Sequence, residues 1–323
     1  TRLESGLLGP IQGWLVDRFG PRKILTIGLI IFAIGFFLFS QVNSIPVFFL
    51  AFILIALGSS LGGWATLMVP IVHWFDQHRA KAIAWSQLGF SLGGLCVPLM
   101  AIGLENFGWR HMGIISGLVI LIAGLPLVSL IYHRPSDKGL TVDGSDRKDG
   151  GQYENEDKPE TRSFTWREAI KERSFWLLST GHSLSLLAVS SMLAHLIPHL
   201  TNSLNYSLRD ASIAFSLMTG LQLIGIFLGG YLGDKYNKKK LVVFCMLGHF
   251  LGLMAIAFAS DSYWVVAFAI LHGIAWGIRG PLMVALRADY FGSKFFGTIM
   301  GFSSLIVMIG MTFGPIICGI LYD

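Results

Sequence analysis

The chain is poor in charge, and what it lacks excludes several kinds of protein. Only 13% of its 323 residues are charged, whereas soluble globular domains carry about a quarter. Its three cysteines, Cys96, Cys245 and Cys318, are widely separated inside apolar runs, so they indicate neither a disulfide framework nor a zinc site. No phosphate-binding loop and no nucleophile motif occurs, which argues against an ATP-driven pump and against an enzyme. We therefore expect no cofactor and no metal.

Hydrophobic residues make up 53% of the chain and gather in runs long enough to cross about 30 Å of hydrocarbon. Ten such runs are present, at 1–16, 24–41, 46–73, 81–104, 110–132, 174–198, 208–233, 239–259, 262–287 and 295–321. They predict an all-α membrane protein. The chain opens without Met and already inside an apolar run, and we expect it to be a fragment.

The basic residues are sorted by loop, which is a topology signal. Of the 24 Lys and Arg residues, all but Arg2, Arg110, Arg209 and Arg279 fall on one side, which the positive-inside rule makes the cytoplasm. A net charge of +5 distributed in this way does not indicate a nucleic-acid partner. The polar residues 133–173 on the same side predict a flexible cytoplasmic linker.

A short charged loop occurs twice. Residues 13–23 read GWLVDRFGPRK, and a weaker copy at 230–240 reads GYLGDKYNKKK. The pattern Gly-x-Leu-x-Asp-Arg-x-Gly-x-Arg resembles the loop signature of the major facilitator superfamily. The resemblance implies the major facilitator fold of two pseudo-symmetric helical bundles, at 1–132 (helices 2–6) and 174–323 (helices 7–11). Ten of twelve transmembrane helices would then be present, and helices 1 and 12 absent.

Further segments resemble the monocarboxylate-porter and oxalate-formate antiporter branch of that family. They are HLIPHLT at 195–201, WFDQHRAKA at 74–82, GWR at 108–110 and DYFG at 289–292. The resemblance implies a monomeric, multi-pass secondary transporter of the inner membrane that moves a small organic anion by alternating access, coupled to protons or to a counter-anion. Two alternatives stay open: an exporter of drugs or neutral metabolites, and a non-transporting receptor, which a sealed apolar centre would favour.

The duplicated loop also supplies candidate gating residues. Asp17 ends a stripe that includes Gly13, and a carboxylate at a helix end needs a partner. The resemblance implies that Asp17 meets the positive N-terminus of helix 11 around 295–297 and closes the cytoplasmic side. Asp234 would meet the start of helix 5 in the same way. The companion candidates are Arg18, Gly20, Arg22 and Arg79.

Arg279 is the sharpest single residue, because a charge near the middle of a membrane helix normally faces a cavity or a counter-charge. Its helix, helix 10, lines the central cavity in the resembled family, and His272 and Trp276 share its face. A guanidinium suits a carboxylate bidentately. The alternative is a buried Arg that bonds to carbonyls and holds helices together. Further substrate-binding candidates are Trp64, His182 and Gln222, and we interpret His249, His73 and His111 as packing groups.

For ion coupling, Glu4 is the leading candidate, since it is the only carboxylate in an apolar segment away from a helix end. Arg2 is the second coupling candidate; it lies two residues from Glu4, so the two cannot pair with each other on one helix face. The resembled branch keeps a cation on helix 8, but residues 210–233 carry a single charge, that of Asp210 at the outer end. Arg279 would have to replace that cation.

Overall fold

A computed structural model describes residues 2–95, 97–144 and 163–322, and these are almost entirely helical. The helices are α1 (Arg2–Phe19), α2 (Pro21–Ser40), α3 (Ile45–Leu61), α4 (Trp64–Trp74), α5 (Arg79–Leu95), α6 (Val97–Val119), α7 (Leu125–Ser129), α8 (Trp166–Ala169), α9 (Arg173–Asn202), α10 (Leu208–Lys235), α11 (Lys238–Ala257), α12 (Ser262–Phe291) and α13 (Phe296–Tyr322). A π-helical turn, Ile120–Gly124, joins α6 to α7.

Eight stretches of the described helices are long and apolar enough to span a membrane. They are Pro21–Ser40, Ile45–Trp74, Ile102–Ser129, Arg173–Asn202, Leu208–Lys235, Lys238–Ala257, Ser262–Phe291 and Phe296–Leu321. The sequence predicted ten. The first predicted span corresponds to α1, which carries four charged residues in 18 positions, and the fourth begins with α5, which is only 17 residues long.

The span predicted at 46–73 is interrupted where α3 ends and α4 begins, at Gly62 and Gly63. An interruption inside a membrane frees backbone groups that need new partners. Gln12 of α1 supplies one, because its Nε2 donates to the carbonyl oxygen of Ser60 at 2.7 Å and to Thr66 Oγ1 at 2.8 Å. A buried amide thus fixes α1 against the broken helix.

A second irregular point, Gly108, lies within α6 and has a φ of 72°. L residues with a side chain rarely adopt this left-handed conformation, and glycine adopts it without steric cost. The chain turns there, between the runs predicted at 81–104 and 110–132. The predicted boundary between these two spans and the structural turn therefore coincide.

Helices from before and after the linker pack directly against one another. α1 packs against α13, and α5 packs against α10 and α12. A buried apolar cluster joins the two groups and includes Val16, Met68 and Ile83 from the first with Leu282 and Phe296 from the second. This packing brings α4, α5, α9, α10, α12 and α13 around one central space.

The two ends of the predicted linker are held by specific contacts. The Asp143 carboxylate accepts the backbone N–H groups of Asp76 and Gln77 at 3.1 and 2.8 Å. At the other end, the backbone N–H of Phe164 donates to the carbonyl oxygen of Phe291 at 3.0 Å. Residues 145–162, the centre of the predicted flexible segment, lie outside the described residues.

A central cavity and the contacts at one end of it

A cavity of about 710 Å³ lies between the two groups of helices. Its walls are mainly apolar, and its polar lining comes largely from α9, α10 and α12. The lining residues are Trp64, Gln87, His182, Leu186, Ser216, Thr219, Gly220, Gln222, Leu223, Ile226, Trp276, Arg279, Gly280, Arg287, Met300, Ser304, Val307 and Met308. Two guanidinium groups and no carboxylate occur in this set, so the described lining carries a net positive charge.

Arg279 lies near the middle of α12 and is 1% exposed. Its Nε donates to His249 Nε2 at 3.4 Å, which is a long hydrogen bond. Among the described residues its buried Nη1 has no hydrogen-bond partner. A buried cationic donor without a partner is costly, so this edge of the guanidinium is suited to receive an anion from the cavity.

Arg287, also 1% exposed, is a second cavity residue that sequence reasoning missed. It was counted among the basic residues of the cytoplasmic helix end. In the structure its Nε donates to Ser303 Oγ at 2.8 Å, Nη1 to the carbonyl oxygen of Met283 at 2.8 Å and Nη2 to His182 Nδ1 at 2.9 Å. It lies eight residues beyond Arg279, about 12 Å along the same helix. Residues eight positions apart lie a little more than two helical turns apart on the same side of a helix. This spacing from Arg279 is the feature of the sequence that could have indicated Arg287 as a cavity residue.

The structure brings most of the predicted substrate-binding residues together. Trp64, His182, Gln222 and Trp276 line the cavity with Arg279. His272 does not, and this differs from the prediction.

His272 is fully buried, with its Nδ1 at 3.2 Å from His249 Nδ1. The helix α11 covers it, since Gly252 has no side chain to keep α11 away from α12 at this level. The same close packing of α11 and α12 places His249 in contact with Arg279. The sequence analysis interpreted His249 as a packing group.

Asp17 lies at the N-terminus of α13, where the loop resemblance placed it. It accepts the backbone N–H groups of Gly297 at 3.0 Å and Thr298 at 2.7 Å, and the Thr298 hydroxyl at 2.6 Å. Helix N-termini offer such unpaired N–H groups and a favourable dipole to a carboxylate. Gly13 makes the approach possible, because a Cβ there would collide with the carbonyl oxygen of Gly297.

The second copy of the loop makes the matching contact. Asp234 accepts the backbone N–H groups of Ala80 at 2.8 Å and Lys81 at 3.2 Å, at the start of α5. Beside it, Arg79 bonds to Asp289 at 2.5 Å, and Lys238 bonds to the same carboxylate at 2.9 Å. The ends of the two helix groups that carry the repeated loop are therefore held together at two places.

The remaining candidates are less directly engaged. Gly20, with a φ of 84°, forms the turn between α1 and α2. Arg18 lies over the Trp14 ring, at 5.1 Å from its centroid, and Arg22 lies at 6.0 Å from the centroid of the Tyr132 ring. The side chains of Arg2 and Glu4 lie outside the described part of the structure. Among the residues that are described, no cluster of three or more His, Cys, Asp or Glu could hold a metal ion.

Comparison with known proteins gives the family. The sequence profile of the Major Facilitator Superfamily matches residues 3–196 and 183–323. A probable hexose phosphate transport protein of Chlamydia trachomatis serovar D is 24% identical over 96% of this chain and 72% of its own length. The oxalate:formate antiporter of Oxalobacter formigenes is 24% identical over 91% of this chain and 67% of its own length.

Among solved structures, that of the Escherichia coli fucose:proton symporter superimposes with a TM-score of 0.74 at 15% identity. The alignment covers 100% of this chain and 82% of the symporter. At that identity the likeness concerns the fold alone. The profile extends from residue 3 to residue 323, so the protein belongs to the major facilitator superfamily and is a multi-pass membrane transporter, not an enzyme.

Proposed function

We propose that the protein carries a small organic anion across the cell's inner membrane by alternating access, as a monomer. The observation that carries this proposal is a cavity of about 710 Å³ with two guanidinium groups and, in its described lining, no carboxylate. In a medium of low dielectric constant an uncompensated cation is costly, and a bound anion removes that cost. A neutral or cationic substrate would leave it in place.

The donors that face such an anion differ in kind. Arg279 offers Nη1, which lacks a partner among the described residues. His182 accepts a hydrogen bond from Arg287 at Nδ1, so in its neutral form the imidazole carries its proton on Nε2. This nitrogen is then a donor, and Arg287 fixes the tautomer that makes it one.

The uncharged lining fits a small, partly apolar anion such as a monocarboxylate. Trp64 and Trp276 offer apolar faces, and Gln222 and Gln87 are neutral polar groups. The relatives named above carry anions according to their names, a hexose phosphate or oxalate and formate. These points favour the monocarboxylate-porter and oxalate-formate antiporter branch, and they favour it over export of neutral compounds or drugs.

Alternating access requires a cytoplasmic closure that can open. We infer two bundles, at 1–132 and 174–323, joined by the linker at 133–173. The Asp17 and Asp234 contacts and the Arg79 ion pair would hold the bundles together and would break when the cavity opens to the cytoplasm. Gly13 and Gly20 with Arg18 and Arg22 complete the proposed gate.

The test is uptake into proteoliposomes that contain the full-length parent protein. Radiolabelled formate, lactate, oxalate and glucose 6-phosphate are compared with an uncharged sugar and a cationic drug. We expect saturable uptake of at least one anion, inhibited by the unlabelled anion and not by the sugar. Uptake of only neutral or cationic compounds would replace this function with export of such compounds, and ligand binding without any transport would indicate a receptor.

A further inference from the structure

Behind the cavity lies a buried pair of histidines that the proposed function does not use. His249 of α11 is 3% exposed and His272 of α12 is 0% exposed. Their Nδ1 atoms are 3.2 Å apart, and their ring centroids are 4.6 Å apart. The other nitrogen of His249 receives the Nε–H of Arg279 at 3.4 Å. A continuous chain of contacts therefore connects the cavity to His272.

Arginine fixes the direction of this chain, because its nitrogens only donate hydrogen bonds. The His249 Nε2 atom that receives the Arg279 N–H must carry a lone pair, so the proton of neutral His249 is on Nδ1. That proton is donated to His272 Nδ1, which leaves the His272 proton on Nε2. Both imidazoles are neutral in this arrangement, and His272 Nε2 has no partner among the described residues.

The consequence is a competition for one lone pair. His249 Nε2 can accept a hydrogen bond from Arg279 or bind a proton, and it cannot do both. An anion in the cavity draws the Arg279 guanidinium toward itself and weakens a bond that is already long. Once Arg279 leaves, the lone pair is available to a proton, and the resulting imidazolium keeps a charge-assisted hydrogen bond to His272.

We propose that the His249–His272 pair is the proton-binding site of an anion–proton symporter. Arg279 couples the two ligands, because its hydrogen bond to His249 Nε2 is replaced by a hydrogen bond to the anion. The inference rests on the proposed function. It places proton coupling at the His249–His272 pair, whereas the sequence analysis placed ion coupling at Glu4. By linkage, the anion raises the affinity of the pair for a proton by the same factor by which the proton raises the affinity for the anion.

The charges around the pair support this order of events. Among the described residues, the titratable and charged groups that act on the pair and on Arg279 are Cys245, one turn before His249, and Arg287 with His182 across the cavity. None is a carboxylate. Of the neighbouring helices, α13 has no charged residue, and α10 has charges only at its ends. Without an anion, protonation would add a third positive charge to those of Arg279 and Arg287. A bound monovalent anion offsets the added charge, so the net charge of the site stays the same.

The experiment measures proton uptake on anion binding. Purified full-length protein in nanodiscs is held in weak buffer at about pH 6.5, near the ordinary titration range of histidine, with a pH indicator. Oxalate, formate and lactate are added as pH-matched salts, and binding of the radiolabelled anions is measured in parallel. The anion that binds should draw about one proton per protein from solution, because one lone pair is released.

Two variants separate coupling from structure. His249→Gln keeps an oxygen that can accept from Arg279 and removes the nitrogen that binds the proton, and His272→Leu removes the acceptor that the His249 imidazolium needs. We expect both variants to lose proton uptake and, by the linkage above, to bind the anion about tenfold or more weakly than the parent at this pH, with an affinity that no longer changes with pH. The exposed His111→Gln should leave proton uptake unchanged and is the matched control.

Anion binding without proton uptake in the parent protein would overturn the inference and leave the proposed function standing. Undiminished proton uptake in both folded variants would also overturn it. If His249→Gln does not fold, the parent protein and His272→Leu still decide the question. Failure of all three anions to bind would remove the proposed function together with this inference.

Discussion

The two groups of helices contribute differently to the cavity and equally to its closure. Helices after residue 163 provide Arg279, Arg287 and His182, whereas the described helices before residue 144 provide only the uncharged Trp64 and Gln87. At the end that carries the repeated loop, each group supplies one carboxylate to a helix start of the other. Closure needs contacts from both sides, but the charge of a small anion needs to be neutralised only once. The repeated loop therefore makes matching contacts in both groups, whereas the charged lining of the cavity comes from one group.

Among the substitutions that test this difference between the two helix groups, those of Arg279 should have the largest effect on anion uptake. Because charge-assisted hydrogen bonds contribute about 1.5–3 kcal/mol, Arg279→Gln should lower the initial rate of anion uptake by about 100-fold. Arg279→Lys keeps the charge and loses the planar fork, so we expect a loss of about tenfold. Rates are normalised to folded protein, with His111→Gln as the control. Loss of folded protein in step with lost uptake would instead indicate an Arg that only holds helices together.

A substitution at Gly13, in α1 of the first helix group, tests the contact between α1 and α13. A Cβ at this position collides with backbone of α13, which cannot move away as a side chain would. Gly13→Ala should therefore keep α1 and α13 apart, reduce transport by about tenfold or more, and speed hydrogen exchange at the start of α13. In Gly89→Ala a Cβ meets nothing within 4 Å, so this variant should behave as the parent. Equal behaviour of the two variants would contradict the close contact.

Asp17 and Asp234 compare the two copies of the gate directly. Asn can accept only through one oxygen, and its NH2 group faces backbone donors. Asp17→Asn should accelerate hydrogen exchange at residues 297–300 by about tenfold, while residues 80–83 stay protected. Asp234→Asn should do the reverse, with a smaller effect, because Asp234 accepts two hydrogen bonds and Asp17 accepts three. A single pattern of exchange for both variants would show that the contacts do not act separately.

The smallest effect should come from the cavity wall of the first group. Gln87 is neutral and, unlike Arg279, offers no charge to the anion. Gln87→Ala should change the Km for anion uptake by about threefold or less, as expected for one neutral hydrogen bond. A loss comparable with that of Arg279→Gln would show that the first group also carries recognition, and the asymmetry would no longer hold.

Hydropathy and the repeated loop were sufficient to predict the fold. They predicted helices, their approximate bounds and the family, because lipid forces long apolar runs and the loop pattern is distinctive. The break at Gly62 and Gly63 was not predicted, since an apolar run continues through it. In the structure the Ser60 carbonyl oxygen at the break accepts from Gln12 Nε2 and from the backbone N–H of Gly63.

The candidate site was only partly accessible from sequence. Arg279 stands out as a charge within an apolar run. Arg287 does not, because it lies next to the cytoplasmic end and looks like a topology charge. The contact between His249 and His272 depends on how α11 and α12 cross, and the sequence of one helix does not specify which residue of another it meets. The closeness of the helices at Gly252 decides that contact.

The most direct test of the central claim is an experimental structure of the full-length protein with its transported anion bound. If the second helix group supplies the binding charge, a carboxylate oxygen should lie about 3 Å from Arg279 Nη1. An anion seated against Trp64 and Gln87, with neither guanidinium within about 6 Å, would contradict the account, because at that distance no hydrogen bond can form.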